Sequence, residues 1–528
     1  MAAKVGNDPG NGLKNGIQPG QGWGIAVFVA IIGAFMSMLD ASIVNVAIPT
    51  IMHVFNADTG SIQWVATIYL LALGTVVPLS GWMGDRLGFK RLYIISLAVF
   101  TLGSLCCMLS WSVTSLIVAR VLQAVGGGMI MPTTMSMITR IVPKDRFGSA
   151  MGFFGIALMM APAIGPTLGG YLVEYVDWRW IFTINLPVGA IGIFLSFFFL
   201  PEFESKKAEK LDLAGAVFSS TMLFSILLAL SEGEDWGWTS EAIVLLLFAS
   251  FILFILFIVT ELTVKNPLLD LRIFRYRTFT MANLMSVVTN IGLYAGIFYI
   301  PLFLQNIRGL GAMETGLLMM PGALVSGVMM PVTGKLYDRI GPMPMAVTGS
   351  ICVAVTTYLF HNIDINTPTP AIITWMMIRG AGMAFAMMPA QSASVGAVPV
   401  EVVGRASAIS NIVGRVASAF GLAVLTSILN TRMGFHTMLM TSQAGMSNLG
   451  TGSFFQRVAA YLGGGTPGLQ QAKVLGAAYL KGLISQAAFV KGIDDIFLIA
   501  SFIMISGVLP AFFLKKHDAK AGSITTME

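Results

Sequence analysis

Runs of about 20 mostly apolar residues recur along the whole chain, and they limit its fold more than any other feature. A run of that length allows a helix to cross the hydrocarbon core of a bilayer. Fourteen such runs can be marked, at 24–49, 62–83, 91–110, 113–139, 148–173, 181–200, 213–231, 240–263, 278–304, 314–334, 344–361, 369–395, 406–429 and 490–514. Only 11% of the 528 residues are charged, against about 25% in soluble domains. We therefore predict an all-α, multi-pass membrane protein.

Positive charges are divided unevenly between the two sides of this arrangement. An even number of spans places both termini on one side, and most of the 31 Lys and Arg residues lie in loops and tails of that side. The short loops of the other side hold only Arg179 and Arg308. The positive-inside rule then predicts cytoplasmic amino and carboxyl termini in a plasma (inner) membrane. Residues 1–23 are interpreted as a disordered tail without the apolar region of a signal peptide, and 515–528 as a second tail.

A repeat links the two halves of the chain. GWMGDRLG at 81–88 follows the second span, and GKLYDRIG at 334–341 follows the tenth. VPKDRFG at 142–148 and VPVEVVG at 398–404 follow at similar distances, and Arg120 has a counterpart in Arg379. Matches in the same order indicate a duplicated six-helix unit.

This repeat predicts how the domains are arranged. We expect an N-terminal six-helix bundle at 24–200 and a C-terminal one at 278–514, joined by a linker at 201–277 with two extra transmembrane helices. Paired six-helix repeats that flank a site at the membrane midplane are typical of alternating-access transporters.

Six motifs resemble those of the major facilitator superfamily, and within it the fourteen-helix drug:proton antiporters (EmrB/QacA-like multidrug exporters). They are LDASIVNVAIP (39–49), QWVATIYL (63–70), GWMGDRLGFKR (81–91), RVLQAVGGG (120–128), GIALMMAPAIGPTLGG (155–170) and WRWIFTINLPVG (178–189). The resemblance covers about residues 24–514. It implies proton-driven export of lipophilic drugs or other amphipathic small molecules by alternating access, with the proton gradient in place of a cofactor.

Asp40 is the only charged residue between Gly24 and Ala47. A carboxylate in the middle of a bilayer costs roughly 2.5–3.5 kcal/mol on insertion scales. At about 1.5 Å per residue, Asp40 lies about 24 Å from the start of the span, on the outer side of the midplane. Two interpretations stay open: proton or substrate coupling, or a buried hydrogen-bonding group that fixes helix packing, with Asn45 as a candidate partner.

Arginines also lie inside predicted spans. We expect Arg120 to face the bundle interior and to pair with a carboxylate or backbone carbonyls, and the resemblance implies a role in proton coupling for its motif, which includes Gln123. Arg379 and Arg415 are the other two, and Arg415 either lines the cavity or reaches the cytoplasmic side. One acid against three arginines does not indicate a dedicated site for multivalent cations. Neutral, anionic and monocationic amphiphiles all remain open.

The loop motif after the second span has two interpretations. Glycines allow a tight turn and close backbone approach, so the motif is either a latch that closes the cytoplasmic side or a simple positive-inside anchor. The resemblance favours the latch, or cytoplasmic gate, formed by Gly81, Asp85, Arg86, Gly88 and Arg91, with Asp338 and Arg339 in the repeat.

The fifth span carries small residues and prolines at intervals of one or two turns. Glycines let helices pack closely and prolines bend them. The residues alone favour packing, whereas the resemblance implies an antiporter motif, a kinked element between the halves that favours export. Its residues are Gly155, Pro162, Gly165, Pro166, Gly169 and Gly170.

The segment 430–489 is too long for a turn and too polar to cross the membrane. Residues 454–462 and 475–484 look helical and partly amphipathic, with a break at 463–468. We predict an outer cap or an interfacial helix, which in a host with two membranes would meet a periplasmic adaptor.

Several alternatives are disfavoured by the sequence. The three cysteines lie in apolar runs far from any histidine, which predicts neither a disulfide framework nor a metal site. No P-loop is present, so ATP does not drive transport directly. A symporter that imports a nutrient is the main alternative, and an enzyme or sensor is a weaker one because no catalytic cluster is evident. We expect small lipophilic substrates, protons and the lipid bilayer as partners, and no nucleic acid.

Overall fold

The computed structural model describes residues 13–14, 23–203, 211–443 and 466–514. The helices are α1 Trp23–Phe55, α2 Thr59–Val76, α3 Leu79–Leu87, α4 Phe89–Met108, α5 Val113–Ile141, α6 Phe147–Tyr175, α7 Trp180–Thr183, α8 Asn185–Phe199, α9 Leu213–Trp236, α10 Glu241–Thr263, α11 Arg277–Asn306, α12 Ala312–Ile340, α13 Pro342–Leu359, α14 Thr369–Gly396, α15 Val403–Gln443, α16 Thr466–Ser506 and α17 Val508–Ala511. Two short strands, β1 Leu13–Lys14 and β2 Glu202–Phe203, pair in antiparallel fashion.

The number of apolar spans agrees with the sequence prediction. Within the described residues, 13 helices are long and apolar enough to cross a membrane, and α2 with α3 forms one further span that is bent by 55°. The bend lies at Pro78, whose ring removes a backbone donor and interrupts the helical hydrogen bonds. The prediction of an all-α protein with fourteen apolar spans is therefore confirmed.

The last two long helices differ from their predicted bounds. The spans at 406–429 and 490–514 belong to α15 and α16, each of 41 residues, or about 60 Å, twice the thickness of the hydrocarbon core. Hydropathy indicates only where the apolar part of a helix ends. No proline interrupts 430–443 or 468–506, and each helix continues beyond its apolar part into a polar segment, which we call its extension.

Segment 430–489 is consequently not a separate cap or interfacial helix where it is described. The predicted break at 463–468 is wrong from Thr466 onward, because α16 begins there and Pro467 suits a first helical turn. The predicted helix at 454–462 lies outside the described residues. The predicted tails also lie outside them, apart from β1 and Trp23.

The helices form two sets, and within each set they pack against one another. In the first set α1 contacts α5, α6 and α8, and α4 contacts α5 and α8; in the second, α11 contacts α14, α15 and α16, and α13 contacts α14 and α16. The sets meet where α6 lies along α12 and where α15 contacts α3 and α5. Of the two linking helices, α9 lies against both α2 and α15, with α10 behind it.

Successive spans run in opposite directions, so the starts of α1, α4, α6 and α15 lie at one end of the bundle. We call this end the N-terminal face and the other end the opposite face. At the opposite face the extensions of α15 and α16 are joined by Asp495 Oδ2, which accepts from Arg432 Nε at 2.5 Å and lies 2.9 Å from His436 Nε2.

Candidate functional site

A buried cluster of polar side chains surrounds Asp40 of α1 in the first helix set. Arg120 Nη1 of α5 donates to Asp40 Oδ2 at 2.5 Å. Gln123 Nε2 donates to Asp40 Oδ1 at 2.8 Å, and Asn185 Nδ2 of α8 donates to the same oxygen at 2.8 Å. Each of these four residues is at most 1% exposed. The carboxylate is thus held by a cation and two amides.

The local sequence explains how α5 supplies two of these donors. Arg120 and Gln123 are three residues apart and share one helix face, and Arg120 Nη1 also donates to Gln123 Oε1 at 2.7 Å. A Cβ atom at Gly103 of α4 would lie 2.4 Å from the Gln123 Cα. Glycine therefore lets α4 come close enough for Ser104 Oγ to accept from Gln123 Nε2 at 2.7 Å.

Arg120 is also covered by an aromatic ring. Its Cζ lies 3.7 Å from the ring centroid of Tyr69 on α2, and its Nε donates to the Val65 carbonyl at 3.3 Å. A guanidinium over an aromatic face gains a cation–π attraction that is strongest where water is excluded. The cluster therefore ties α1, α2, α5 and α8 together.

Sequence reasoning named part of this cluster. It singled out Asp40, Arg120 and Gln123, which the structure brings together, and it expected Arg120 to pair with a carboxylate or backbone carbonyls. It also offered Asn45 as a partner of Asp40, but Asn45 is exposed and the hydrogen bonds to Asp40 come from α5 and α8. Asn185 was missed, although the quoted motif WRWIFTINLPVG contains it.

Arg379 of α14 is the counterpart of Arg120 in the repeat, but its surroundings differ. Its Nη2 donates to the Gly292 carbonyl of α11, and its guanidinium lies against Gly296. Whereas Arg120 faces Asp40 on α1, Arg379 faces Gly292 and Gly296 on α11. Among the described residues Arg379 therefore has no carboxylate partner. Its Nε is buried without a hydrogen bond.

Arg415 lies within the bundle between the two helix sets. It sits near the middle of the membrane-length part of α15, and its Cδ lies 4.0 Å from the position of a Cβ atom at Gly74 on α2. Its Nε is buried and has no hydrogen-bond partner in the described chain. Of the two placements open at the sequence level, the structure shows the interior one.

At the N-terminal face, the second copy of the loop motif joins the two helix sets. Asp338 Oδ1 of α12 accepts from the Gly148 backbone N–H at 2.8 Å, and Asp338 Oδ2 accepts from the Ser149 backbone N–H at 3.1 Å. A carboxylate is favourable at a helix N-terminus, here that of α6, because the backbone donors there are free. A Cβ atom at Gly334 would lie 2.2 Å from the Gly148 oxygen, so close contact requires glycine.

The first copy of the motif packs on the start of α15. A Cβ atom at Gly81 would lie 3.3 Å from the Arg405 backbone nitrogen, and Gly88 has φ +83, which favours glycine. Asp85 Oδ1 lies 3.9 Å from Arg140 Nη2. In the same copy, Arg86 Cζ lies 5.0 Å from the centroid of the Trp82 ring, and Arg91 is exposed. Arg339, in the second copy, is exposed as well.

The small residues of α6 form two packing faces. Towards α1, a Cβ atom at Gly165 would lie 2.5 Å from Ser42 Oγ, and one at Gly169 would lie 2.8 Å from Ile43 Cγ1. Ser42 Oγ also donates to the Pro162 carbonyl at 3.1 Å. Gly170 is open, with nothing within 4 Å of its Cβ position.

Towards α12, α6 approaches the second helix set along its length. A Cβ atom at Gly155 would lie 2.5 Å from Met330 Sδ. Near the other end, a Cβ atom at Gly316 of α12 would lie 3.8 Å from Pro166 Cβ. One helix therefore touches both the helix that carries Asp40 and the opposite helix set.

Comparison with known proteins identifies this architecture. The family model described as Major Facilitator Superfamily matches residues 30–422. The chain belongs to the Major Facilitator Superfamily. As a member of that superfamily it is a membrane transporter of small substrates and not an enzyme.

Two superfamily relatives cover nearly the whole chain. An uncharacterized MFS-type transporter of Bacillus subtilis, YhcA, is 32% identical over 490 residues, which is 93% of this chain and 92% of the relative. The multidrug resistance protein B homolog of Mycobacterium tuberculosis is 30% identical over 495 residues, or 93% and 90% of the two chains.

A solved structure shows the same fold. The human organic anion transporter MFSD10 (TETRAN) superimposes with a TM-score of 0.61 at 13% identity, covering 94% of this chain and 100% of that one. The all-α fold of the superfamily, predicted from the sequence, is thereby confirmed.

Proposed function

We propose that this transporter exports lipophilic or amphipathic small molecules across the cytoplasmic membrane in exchange for protons. The N-terminal face would then be cytoplasmic, with both termini on that side. The observation that carries the proposal is the Asp40–Arg120 pair, a charged pair that is buried at the contact of α1 and α5. A relative named for multidrug resistance supports export of drugs.

The buried pair provides a site where a proton can change the structure. Proton uptake by Asp40 removes the negative charge that Arg120 Nη1 and two amides hold. Arg120 then has a buried charge without its counterion, which is costly in a low-dielectric interior. The cost is relieved when α1 and α5 rearrange, so protonation favours a second conformation.

The α6 helix would carry this change to the other helix set. It packs on α1 at Gly165 and Gly169 and on α12 at Gly155. A shift of α1 therefore moves the contact between the sets, which are latched at the N-terminal face by Asp338 and the start of α6. Alternating access results when the latch and the contacts near the opposite face open in turn.

Substrates of varied shape would bind along a methionine-rich core between the sets. One buried cluster combines side chains from α5, α6, α12 and α14, and its methionines there are Met131, Met135, Met151, Met159, Met330, Met387 and Met388. Methionine is flexible and polarisable, so such a surface can repack around different apolar ligands. In a host with two membranes, the extensions of α15 and α16 would be the surface for a periplasmic adaptor.

Proteoliposomes with an imposed pH gradient test the function. We expect the purified protein to transport the neutral dye N-phenylnaphthylamine against its gradient, and a protonophore to abolish that transport. Asp40→Asn should retain exchange of dye between the two sides but lose the gradient-driven part. Asp235→Asn is the control, since Asp235 is an exposed acid at the end of α9. Transport that survives the protonophore would contradict proton coupling.

A further inference from the structure

The charge balance of the bundle interior is positive. In α1, α2, α5, α6, α11, α12, α14 and α15, Asp40 is the only acid that lies more than two turns from a helix end. The two such acids of α16, Asp494 and Asp495, are paired with Lys491 and Arg432. The charge of Asp40 is compensated by Arg120 at 2.5 Å. Arg379 and Arg415 therefore remain as interior cations without a carboxylate partner among the described residues. A guanidinium in this position is costly unless a counterion or water reaches it.

The two arginines differ in what surrounds them. Arg379 is 6% exposed and lies between α14 and α11 of one helix set, where the Gly292 carbonyl accepts one of its hydrogen bonds. Arg415 reaches from α15 towards Gly74 of α2, so it lies between the two sets. The side chain of Arg415 is partly exposed although its Nε is buried. It is the interior cation that a ligand between the sets would meet.

Uncharged polar side chains flank Arg415 on α15. Asn411 and Ser418 lie one turn away on either side of the same α15 face, and Ser418 Oγ donates to Asn290 Oδ1 at 3.3 Å. The Ser418 hydroxyl hydrogen is thus already donated, and Asn411 Nδ2 donates one N–H to the Ser407 carbonyl at 2.9 Å, which leaves its second N–H for an anion. Neither group is a competing carboxylate.

An apolar surface adjoins this polar strip. Ile412 and Val413, the residues shortly before Arg415 on α15, pack against the methionine-rich cluster described above. A ligand between the helix sets would thus meet a cation with hydrogen-bonding groups on one side and a deformable apolar surface on the other.

We propose that Arg415 binds the anionic group of an amphipathic substrate whose apolar body lies on the methionine-rich cluster. The substrate class is an organic monoanion, such as an aromatic sulfonate or carboxylate. This inference rests on the proposed export function and adds the charge of the substrate to it. Binding restores neutrality beside Arg415.

Binding to the purified transporter tests the inference separately from transport. The probes are anilinonaphthalene sulfonate and N-phenylnaphthylamine, which share a ring system and differ in the sulfonate. Fluorescence titrations use nanodiscs of phosphatidylcholine, so that no anionic lipid competes. We expect the wild type to bind the sulfonate about tenfold more tightly than the neutral amine, a difference of about 1.4 kcal/mol.

Variants assign that preference to one side chain. Arg415→Gln should remove the tenfold preference and leave the affinity for the neutral amine unchanged, whereas Arg415→Lys should keep most of it. Arg275→Gln, at the exposed end of the 3₁₀ helix Leu271–Arg275, is the matched control. Size-exclusion profiles check that each variant is folded. If Arg415→Gln is not folded, the uncharged variant Arg415→Met replaces it, with the same expected loss of the sulfonate preference.

The outcomes separate the two proposals. Equal binding of both probes by the wild type, or a sulfonate preference that persists in folded Arg415→Gln, overturns the anion site and leaves export standing. Absence of gradient-driven transport of either probe overturns export, while the titrations still decide whether Arg415 binds the anion.

Discussion

Arg120 Nη1 lies 2.5 Å from Asp40 Oδ2, and both side chains are shielded from solvent. The residues are 80 positions apart in the chain, so the pair joins two helices that the sequence does not place side by side. A buried ion pair is weak evidence for stability as such, because desolvation offsets the attraction. It is strongly destabilising, however, to remove one partner and leave the other charged.

Breaking the pair from the arginine side should therefore destabilise the protein. Arg120→Ala leaves Asp40 as an uncompensated buried acid, and we expect a loss of about 3–5 kcal/mol. The double variant Asp40→Asn/Arg120→Gln should recover much of that loss, because neither group is then charged. Thermal unfolding followed by size exclusion measures both, and equal stability of Arg120→Ala and wild type would contradict the pairing.

The contact between α6 and α12 at the N-terminal face predicts the conformational effect of a substitution there. A methyl group at Gly334 would lie 2.2 Å from the Gly148 oxygen, so Gly334→Ala should separate α6 from α12 there. We expect longer spin-label distances between these helices at the N-terminal face and slower transport. Gly434→Ala is the control, because nothing lies within 4 Å of that Cβ position. An unchanged distance distribution in Gly334→Ala would show that the close approach of the two helices does not require glycine at this position.

The small-residue motif of α6 contains its own matched pair of substitutions. Gly165→Ala places a methyl group 2.5 Å from Ser42 Oγ, whereas Gly170 has open space around its Cβ position. We expect Gly165→Ala to reduce transport several-fold and to lower the melting temperature, with Gly170→Ala near wild type. Similar effects of the two substitutions would indicate that the motif acts through helix flexibility and not through the contact with α1.

The hydrogen bonds around Asp40 predict that substitutions in the cluster lower stability by different amounts. Asn185→Ala removes one donor to the carboxylate, and a hydrogen bond to a charged group is worth about 1.5–3 kcal/mol. Ser104→Ala leaves the Asp40 contacts of Gln123 and Asn185 in place and should cost less. Melting temperatures of the two variants in the same detergent compare them, and a larger loss for Ser104→Ala would contradict this order.

The sequence predicted the membrane spans and several members of the site, but not how they meet. Apolar runs report which residues avoid water, so the number of spans and the interior place of Asp40 and Arg120 could be predicted. Which helices are neighbours depends on packing between distant segments, and so Asn185 was missed and Asn45 was wrongly offered as a partner. The placement of Arg415 could not be decided from the sequence either, because its approach to Gly74 of α2 is a contact between distant segments.

Asp40 is proposed to exchange its proton as substrate binds, and proton release measures this exchange most directly. Purified protein in weakly buffered solution is titrated with N-phenylnaphthylamine while the pH is followed. We predict that the wild type and the control Asp235→Asn release protons on binding and that folded Asp40→Asn releases none. Release from Asp40→Asn equal to that of the wild type would contradict this role of Asp40.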